Sequence, residues 1–244
     1  MKRVSSSILF ASILAAIAIA APAMAQTYPL YVTGAFDGWT GSGPVMTLVS
    51  GVPGSTAIWQ ATVNMPVGRN EFKITEGDWG WAAPGSGNGW TYTDGAGNTT
   101  ITYDQNTYAD GWSPASGRLS SNIDPGTWTA VGDWQTSPWN NADATTSMTS
   151  LGGGIYEYAA TIATPGTWQY KAVDTGSWDA IGADGLSINA NNLAFTTVNP
   201  NQQVDMLVNA SNGTIETVLV PEPSTIGLVV VGLFGALTIR RRKA

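Results

Sequence analysis

A short strand-and-turn pattern occurs twice in this chain, as EFKITEGDW at residues 71–79 and as QYKAVDTGSW at residues 169–178. In both places an aromatic residue and a lysine are followed by a Gly-x-Trp turn. Short runs of alternating apolar and polar residues, punctuated by glycine, predict antiparallel strands joined by hairpin turns. The two stretches therefore indicate an all-β fold built from two copies of one unit.

The landmarks before these stretches also recur in the same order. The first copy opens with Gly34-Ala35-Phe36-Asp37-Gly38-Trp39 and continues through Met46-Thr47 and Ile58-Trp59. The second opens with Gly132-Asp133-Trp134, reaches Trp139, and continues through Met148-Thr149 and Ile155-Tyr156. Each copy has about seven short strand candidates in roughly 90 residues, which is the size of a small immunoglobulin-like domain. We therefore expect two tandem immunoglobulin-like β-sandwiches.

The composition between and around the copies predicts the domain boundaries. A segment rich in serine, proline and glycine separates the copies and is typical of a linker. We expect a signal peptide at 1–25, a first sandwich at 26–112, a linker at 113–126, a second sandwich at 127–220 and a sorting tail at 221–244.

The charged and nucleophilic residues exclude several functions. The chain has no cysteine and no histidine, so it has no disulfide, no thiolate metal site and no Ser-His or Cys-His catalytic pair. Between the terminal segments the basic residues are only Arg69, Lys73, Arg118 and Lys171, against sixteen acidic residues. Such a surface repels phosphate backbones, so we expect no nucleic-acid partner.

The N-terminus is typical of an export signal. Met1-Lys2-Arg3 is a short positive region, and residues 8–20 are apolar without a polar face. Ala23-Met24-Ala25 then matches the small-x-small pattern that signal peptidase recognises. We expect cleavage before Gln26.

The C-terminus combines three features. Pro221-Glu222-Pro223 precedes an apolar stretch at 225–239, which Arg240-Arg241-Arg242-Lys243 follows. This arrangement resembles the PEP-CTERM sorting signal of Gram-negative bacteria. The resemblance implies recognition by an exosortase, transient contact of the C-terminal helix with the inner membrane, removal of the tail, and location at the cell surface or in the extracellular matrix. The alternative is an ordinary C-terminal membrane anchor, although the stretch is shorter than the roughly 20 apolar residues that such a helix needs.

The repeated unit resembles a second known group of proteins. The Gly-x-Phe-x-x-Trp opening, the Met-Thr pair, the aromatic-Lys strand and the Gly-x-Trp turn are similar to early-set immunoglobulin-like modules of starch-active proteins. These include the family 48 and family 20 carbohydrate-binding modules and the accessory domains of pullulanases. In glucan-binding members, two tryptophans and a lysine form the sugar platform. The resemblance thus implies carbohydrate-binding roles for Trp39, Lys73 and Trp79, and for Trp139, Lys171 and Trp178.

The chemistry of these residues suits a sugar ligand. An indole ring is flat and amphipathic, so it can stack on the apolar face of a pyranose, and a lysine donates hydrogen bonds to hydroxyls. The family also uses a polar side chain from a later loop, for which Asn98 and Asn192 are candidates. Two additional residues separate Trp134 from Trp139 in the second copy, which places the role of Trp139 in question.

Structural roles are the alternative for each aromatic residue. Phe36, Trp59, Trp134 and Tyr156 are expected in the core. Trp39 and Trp139 fit a core-capping role equally well, and Lys73 and Lys171 fit lysines that extend from a strand edge.

The leading hypothesis is an exported, non-catalytic protein that binds polysaccharide, either an α-glucan or the cell's own exopolysaccharide. The alternative is a structural or adhesive matrix protein with no specific sugar site. A glycoside hydrolase needs two carboxylates across one cleft, and no acidic pair recurs beside the shared landmarks, so we expect no enzyme, no metal and no cofactor. Exposure of Trp79 and Trp178, each coplanar with a neighbouring aromatic ring, favours sugar binding, whereas burial of both favours the matrix protein.

Overall fold

The computed structural model describes residues 28–93, 97–114, 117–121 and 124–221. The predicted signal peptide and, apart from Pro221, the predicted sorting tail lie outside these residues. The described part of the chain is all-β, with seventeen strands and two short 3-10 turns. None of its helical segments has the length or apolar character to cross a membrane.

The strands divide between two copies, and the first copy includes one strand from the predicted linker. Those of the first copy are β1 (Tyr31–Gly34), β2 (Thr47–Ser50), β3 (Ile58–Asn64), β4 (Gly68–Thr75), β5 (Ala82–Ala83), β6 (Gly89–Thr93), β7 (Asn98–Asp104) and β8 (Arg118–Ser121). Those of the second are β9 (Trp128–Gly132), β10 (Thr149–Gly152), β11 (Ile155–Ile162), β12 (Gly166–Asp174), β13 (Asp179–Gly182), β14 (Gly185–Ile188), β15 (Leu193–Thr197), β16 (Gln202–Asn209) and β17 (Thr214–Leu219).

Each copy forms two antiparallel sheets with the same connections. In the first copy β4 pairs with β1, β5 and β6 in one sheet, the first front sheet, while β2-β3-β7-β8 form the first back sheet. In the second copy β12 pairs with β9, β13 and β15 in the second front sheet, and β10-β11-β16-β17 form the second back sheet. The second front sheet has one additional strand, β14, which forms a hairpin with β13.

Alternation along the central strands determines which side chains reach the core. On β4, Asn70, Phe72 and Ile74 are buried, whereas Arg69, Glu71 and Lys73 lie on the opposite, outward face. On β12, Tyr170 is fully buried and its hydroxyl donates a hydrogen bond to the carbonyl of Leu207 in the back sheet, 3.2 Å away. The inner faces of the front sheets therefore cover the back sheets. The all-β prediction is confirmed, and the immunoglobulin-like class of the two units stays a prediction.

The segment predicted as a linker carries structure of its own. Four of its residues form β8, the edge strand of the first back sheet. The guanidinium of Arg118 on this strand donates to the carboxylate of Asp110 at 2.9 Å and lies 4.2 Å from the ring centre of Tyr108. Just before it, Ser113 exchanges two backbone hydrogen bonds with Ile215 of β17, at 2.8 and 2.7 Å. The connection between the copies therefore forms hydrogen bonds with strands of both copies.

The two copies share an aromatic contact. Trp90 on β6 lies on the outward face of the first front sheet, since it is opposite Glu71 in the ladder. It is only 2% exposed because the second copy covers it. Its indole N–H donates to the carbonyl of Ala180 at 3.0 Å, and its ring centre lies 5.7 Å from that of Trp128. The hydrophobic core therefore continues from one copy into the other.

Two polar contacts flank Trp90. The guanidinium of Arg69 binds both carboxylate oxygens of Asp179, at 2.5 and 2.6 Å, and the Asp179 side chain is 2% exposed. The hydroxyl of Tyr92 donates to Asp174 at 2.8 Å. Burial, followed by the contact with Asp174, raises the pKa of Tyr92 to about 12. We call this set of contacts (Arg69, Trp90 and Tyr92 with Trp128, Asp174 and Asp179) the inter-copy contact.

Removal of the cation at this contact is expected to destabilise the protein. Arg69→Met leaves the buried carboxylate of Asp179 without its partner, so we expect the free energy of unfolding to fall by about 3 kcal/mol. Glu71→Gln is the matched control, because it removes a partly exposed partner of the same arginine and should cost less than about 1 kcal/mol. Urea denaturation of residues 26–221 measures both. Equal losses in the two variants would contradict the assignment.

Candidate functional site

The front sheets place the two predicted lysines equivalently in the two copies. Gly34 lies opposite Phe72 in the first front sheet, and Gly132 lies opposite Tyr170 in the second. Lys73 and Lys171 follow these aromatic residues directly and lie on the outward faces of β4 and β12. We call Trp39, Lys73 and Trp79 the first site, and Trp139, Lys171 and Trp178 the second site.

Trp39 and Trp139 have the same unusual backbone. Each has φ of 59°, a left-handed conformation that bulky residues rarely adopt and that costs about 1–3 kcal/mol. The backbone N–H of Trp39 donates to the carbonyl of Gly34 at 2.9 Å, and that of Trp139 donates to Gly132 at 3.0 Å. The two additional residues of the second copy are therefore accommodated within the turn, and Trp139 takes the position of Trp39.

Different side chains hold this turn in the two copies. In the first copy the carboxylate of Asp37 accepts hydrogen bonds from the backbone N–H groups of Gly34 and Trp39, and from the hydroxyls of Thr33 and Thr40. Partial burial opposes ionisation, but these hydrogen bonds outweigh it and lower the pKa of Asp37 below its ordinary value. In the second copy the uncharged Gln135 accepts from the N–H of Gly132 at 3.1 Å.

The first site brings its two tryptophans into contact. The ring centres of Trp39 and Trp79 lie 6.4 Å apart with 36° between their planes, and Trp79 is 51% exposed. The ammonium of Lys73 donates to the carbonyl of Pro84 at 2.7 Å, and partial burial lowers its pKa. Two of the three ammonium protons remain for other acceptors. The site therefore offers an apolar indole surface on the same sheet as a hydrogen-bond donor.

The second site gathers its residues around the lysine. The ammonium of Lys171 lies 5.7 Å from the ring centre of Trp139 and 5.4 Å from that of Trp178, which is within the range of cation–π attraction. It donates to the carbonyl of Ala190 at 3.0 Å and is 8% exposed. Burial lowers the pKa of Lys171, and Asp184 partly opposes this.

The two rings of the second site have different surroundings. Trp139 packs on a small apolar cluster on the outward face of the second front sheet, formed by Val131, Val173, Ala180 and Ala190. Trp178 is 38% exposed. The predicted core-capping role of Trp139 therefore describes its packing, while Trp178 presents its indole to solvent.

The polar loop residue expected near each site, Asn98 or Asn192, lies at the predicted place only in the second copy. Asn192 directly precedes β15, and its amide donates to Gln169 at 2.7 Å. The residue at the equivalent place before β6 is Asn88, whose amide donates to Glu71 at 2.8 Å. Asn98 instead lies in the first back sheet, opposite Asn64. Sequence reasoning therefore missed Asn88, which only the ladder register identifies.

Two of the four residues expected in the core are buried in it, and the other two are partly buried against it. Trp59 is 6% exposed and Tyr156 is 9% exposed. Phe36 and Trp134 are partly buried against the core, and Trp134 stacks on Tyr158 with ring centres 5.6 Å apart. In the part of the chain that the structure describes, no group of three or more acidic side chains is arranged to hold a metal ion.

Comparisons with known proteins agree with the two resemblances. Residues 127–215 match the family described as pullulanase X25 domain, and residues 219–243 match the PEP-CTERM protein-sorting motif. The predicted resemblance to a PEP-CTERM protein with a pullulanase accessory domain is confirmed. The sorting motif identifies an exported chain that an exosortase processes, and the X25 domain is an accessory domain rather than the catalytic domain of pullulanase.

The comparison of structures gives a more limited result. The chain is similar to a pullulanase from Bacillus acidopullulyticus with 16% identity and a TM-score of 0.30. The similarity covers 51% of this chain and 20% of the pullulanase, so the chain spans about a fifth of that protein's length. A comparison with curated proteins gave no match.

The stability of the first site's turn is expected to depend on pH through Asp37. At pH 7, Asp37→Asn should lower the free energy of unfolding by about 1 kcal/mol, because the ionised carboxylate accepts several hydrogen bonds. A carboxylate whose folded-state pKa is lowered stabilises the protein above its unfolded-state pKa. The difference should therefore shrink below about pH 4 and vanish below the folded-state pKa.

Gln135→Ala provides the control in the second copy. It removes an uncharged acceptor from the equivalent turn, so its cost should be similar at pH 7 and pH 3. Urea denaturation at the two pH values measures both variants. A cost of Asp37→Asn that does not change with pH would contradict the role given to the carboxylate.

Proposed function

We propose that this exported chain binds polysaccharide without catalysing its conversion. Each copy would act as an immunoglobulin-like β-sandwich with a sugar platform on its front sheet. The platforms are Trp39, Lys73 and Trp79, and Trp139, Lys171 and Trp178. The ligand class is an α-glucan or the exopolysaccharide of the producing cell, and the protein acts at the cell surface or in the extracellular matrix.

The observation that carries this proposal is the exposure of one tryptophan at the same turn in both copies. Trp79 and Trp178 are 51% and 38% exposed, and each lies beside a lysine or a tryptophan of its own site. Contact with water is unfavourable for so large an apolar ring. The recurrence of an exposed tryptophan at equivalent turns therefore supports a binding role. The condition of coplanar rings is not met in the first site, where the planes are tilted by 36°.

The backbone of Trp39 and Trp139 gives a second argument. A glycine or asparagine would adopt φ of 59° with less strain than tryptophan. Strain that recurs at an equivalent position in two copies supports a role for the side chain, which the turn presents at the front sheet.

A structural matrix role is the second candidate, and one feature of the second site favours it. Lys171 is 8% exposed, and its ammonium already contacts two rings and a carbonyl. A lysine held in this way stabilises the local packing of Trp139 whether or not a sugar binds. The two candidate functions therefore predict different effects of replacing Trp178. Sugar binding predicts a loss of affinity for the polysaccharide, whereas the matrix role predicts no such loss.

Affinity electrophoresis separates the candidates. Residues 26–221 are run through native gels containing glycogen, amylose or the host exopolysaccharide. We expect one polymer to retard the chain, and Trp79→Ala and Trp178→Ala to weaken its apparent affinity about tenfold or more, the size of a central aromatic contact.

Val198→Ala is the matched control, because Val198 is an exposed apolar residue outside both sites. It should leave the mobility unchanged in every gel. Unretarded migration of the folded wild-type chain in all gels would reject sugar binding and leave the matrix role.

A further inference from the structure

The outward face of the first front sheet is in contact with the second copy. Trp90 and Tyr92 lie on the outward face of the first front sheet, opposite Glu71 and Arg69 in the ladder. They contact Trp128 and the side chain of Asp174, respectively. A side chain on the outer surface of one sheet therefore meets side chains of the next.

The contacted residues of the second copy belong to its inner face. Trp128 is opposite Asp174 in the ladder and is two residues from Ala130, which lies in the core opposite Ala172. The inner face of the second front sheet therefore packs on the outward face of the first front sheet at the inter-copy contact. Since the two faces of a sheet point in opposite directions, the outward face of the second sheet points away from the first sheet at this contact. Lys73 and Lys171 lie on these two outward faces.

The inter-copy contact also limits the distance between the sites. Lys73 is four residues from Arg69 on the same strand, which corresponds to about 13 Å. Trp178 directly precedes Asp179, the residue that Arg69 binds. Adding the two joined side chains gives an upper limit on the order of 25–30 Å for the distance between Lys73 and Trp178 along this path.

Several contacts keep this separation constant. The bidentate Arg69–Asp179 pair and the buried Trp90 are two of these contacts. Two sets of backbone hydrogen bonds between the copies add to them. The N–H of Ile188, on the additional hairpin strand β14, donates to the carbonyl of Asn88 at 2.8 Å. Ser113 pairs with Ile215. Two sites with a fixed spacing bind a ligand that reaches both far more tightly than either site alone, because the second contact forms within the same complex.

We propose that one polysaccharide chain occupies both sites at once, so that the preferred ligand is a long polymer rather than a short oligosaccharide. This inference rests on the proposed function and goes beyond it, because two independent sugar sites would not discriminate by chain length. The inter-copy contact acts as the spacer that sets which length of polymer spans the pair.

Calorimetry with long and short probes tests the inference. The processed protein is titrated with the polymer that retards it in the gels, amylose or the host exopolysaccharide, and with a four-sugar fragment of that polymer. We expect two fragments to bind each protein molecule, and the polymer to bind at least 100-fold more tightly than the fragment, occupying both sites together. Trp79→Ala and Trp178→Ala should each reduce polymer affinity to within a few-fold of the fragment value.

The same titrations separate failure of the inference from failure of the function. If each single variant halves the number of polymer sites without changing the affinity, the two sites act independently and the inference is wrong. If the wild-type protein binds neither probe, the proposed function fails and the inference fails with it. The Val198→Ala variant should retain the tight polymer binding, and loss of that binding in this control would show that the effect does not depend on the two sites.

Discussion

The close approach of two strands at one glycine in each copy is the constraint on which the candidate sites depend. A Cβ atom on Gly34 would lie 2.4 Å from the carbonyl oxygen of Glu71, and one on Gly132 would lie 2.1 Å from that of Gln169. Real side chains do not tolerate such distances, so only glycine permits this end of β1 or β9 to pair with the central strand. The carbonyl of the same glycine then accepts the N–H of Trp39 or Trp139. The lysine strand and the tryptophan turn of each site are thus joined by a position without a side chain.

Much of this arrangement could be predicted from the sequence. Alternation and turn residues predict an all-β chain, and the recurring Gly, aromatic-Lys and Gly-x-Trp landmarks locate the two copies and the six candidate residues. Spacing alone does not establish the equivalence of Trp139 with Trp39, because it cannot distinguish a longer turn from a shifted register. The structure resolves it through a backbone angle and a hydrogen bond. Asn88 was missed for a related reason, since the additional hairpin of the second copy lengthens the stretch between the Gly-x-Trp turn and Asn192.

The inter-copy contact could not be predicted at all. Trp90, Tyr92 and Arg69 read as ordinary outward-facing strand residues, and nothing local indicates that another copy covers them. Asp179 likewise reads as one more acidic residue beside a turn. Their pairing joins residues 110 positions apart in sequence, which periodicity does not encode. The result is a shared core in which the border between copies lies among buried aromatic rings rather than at a flexible connection.

The position of the last strand has a consequence for how the protein is displayed. β17 ends at Leu219, the side chain of Gln202 donates to the carbonyl of Val220, and the matched sorting motif already begins at residue 219. No spacer separates the folded sheet from the segment that the sorting enzyme recognises. Attachment of the processed chain at this end would therefore hold the second back sheet close to its anchor, with no length of free chain between the two.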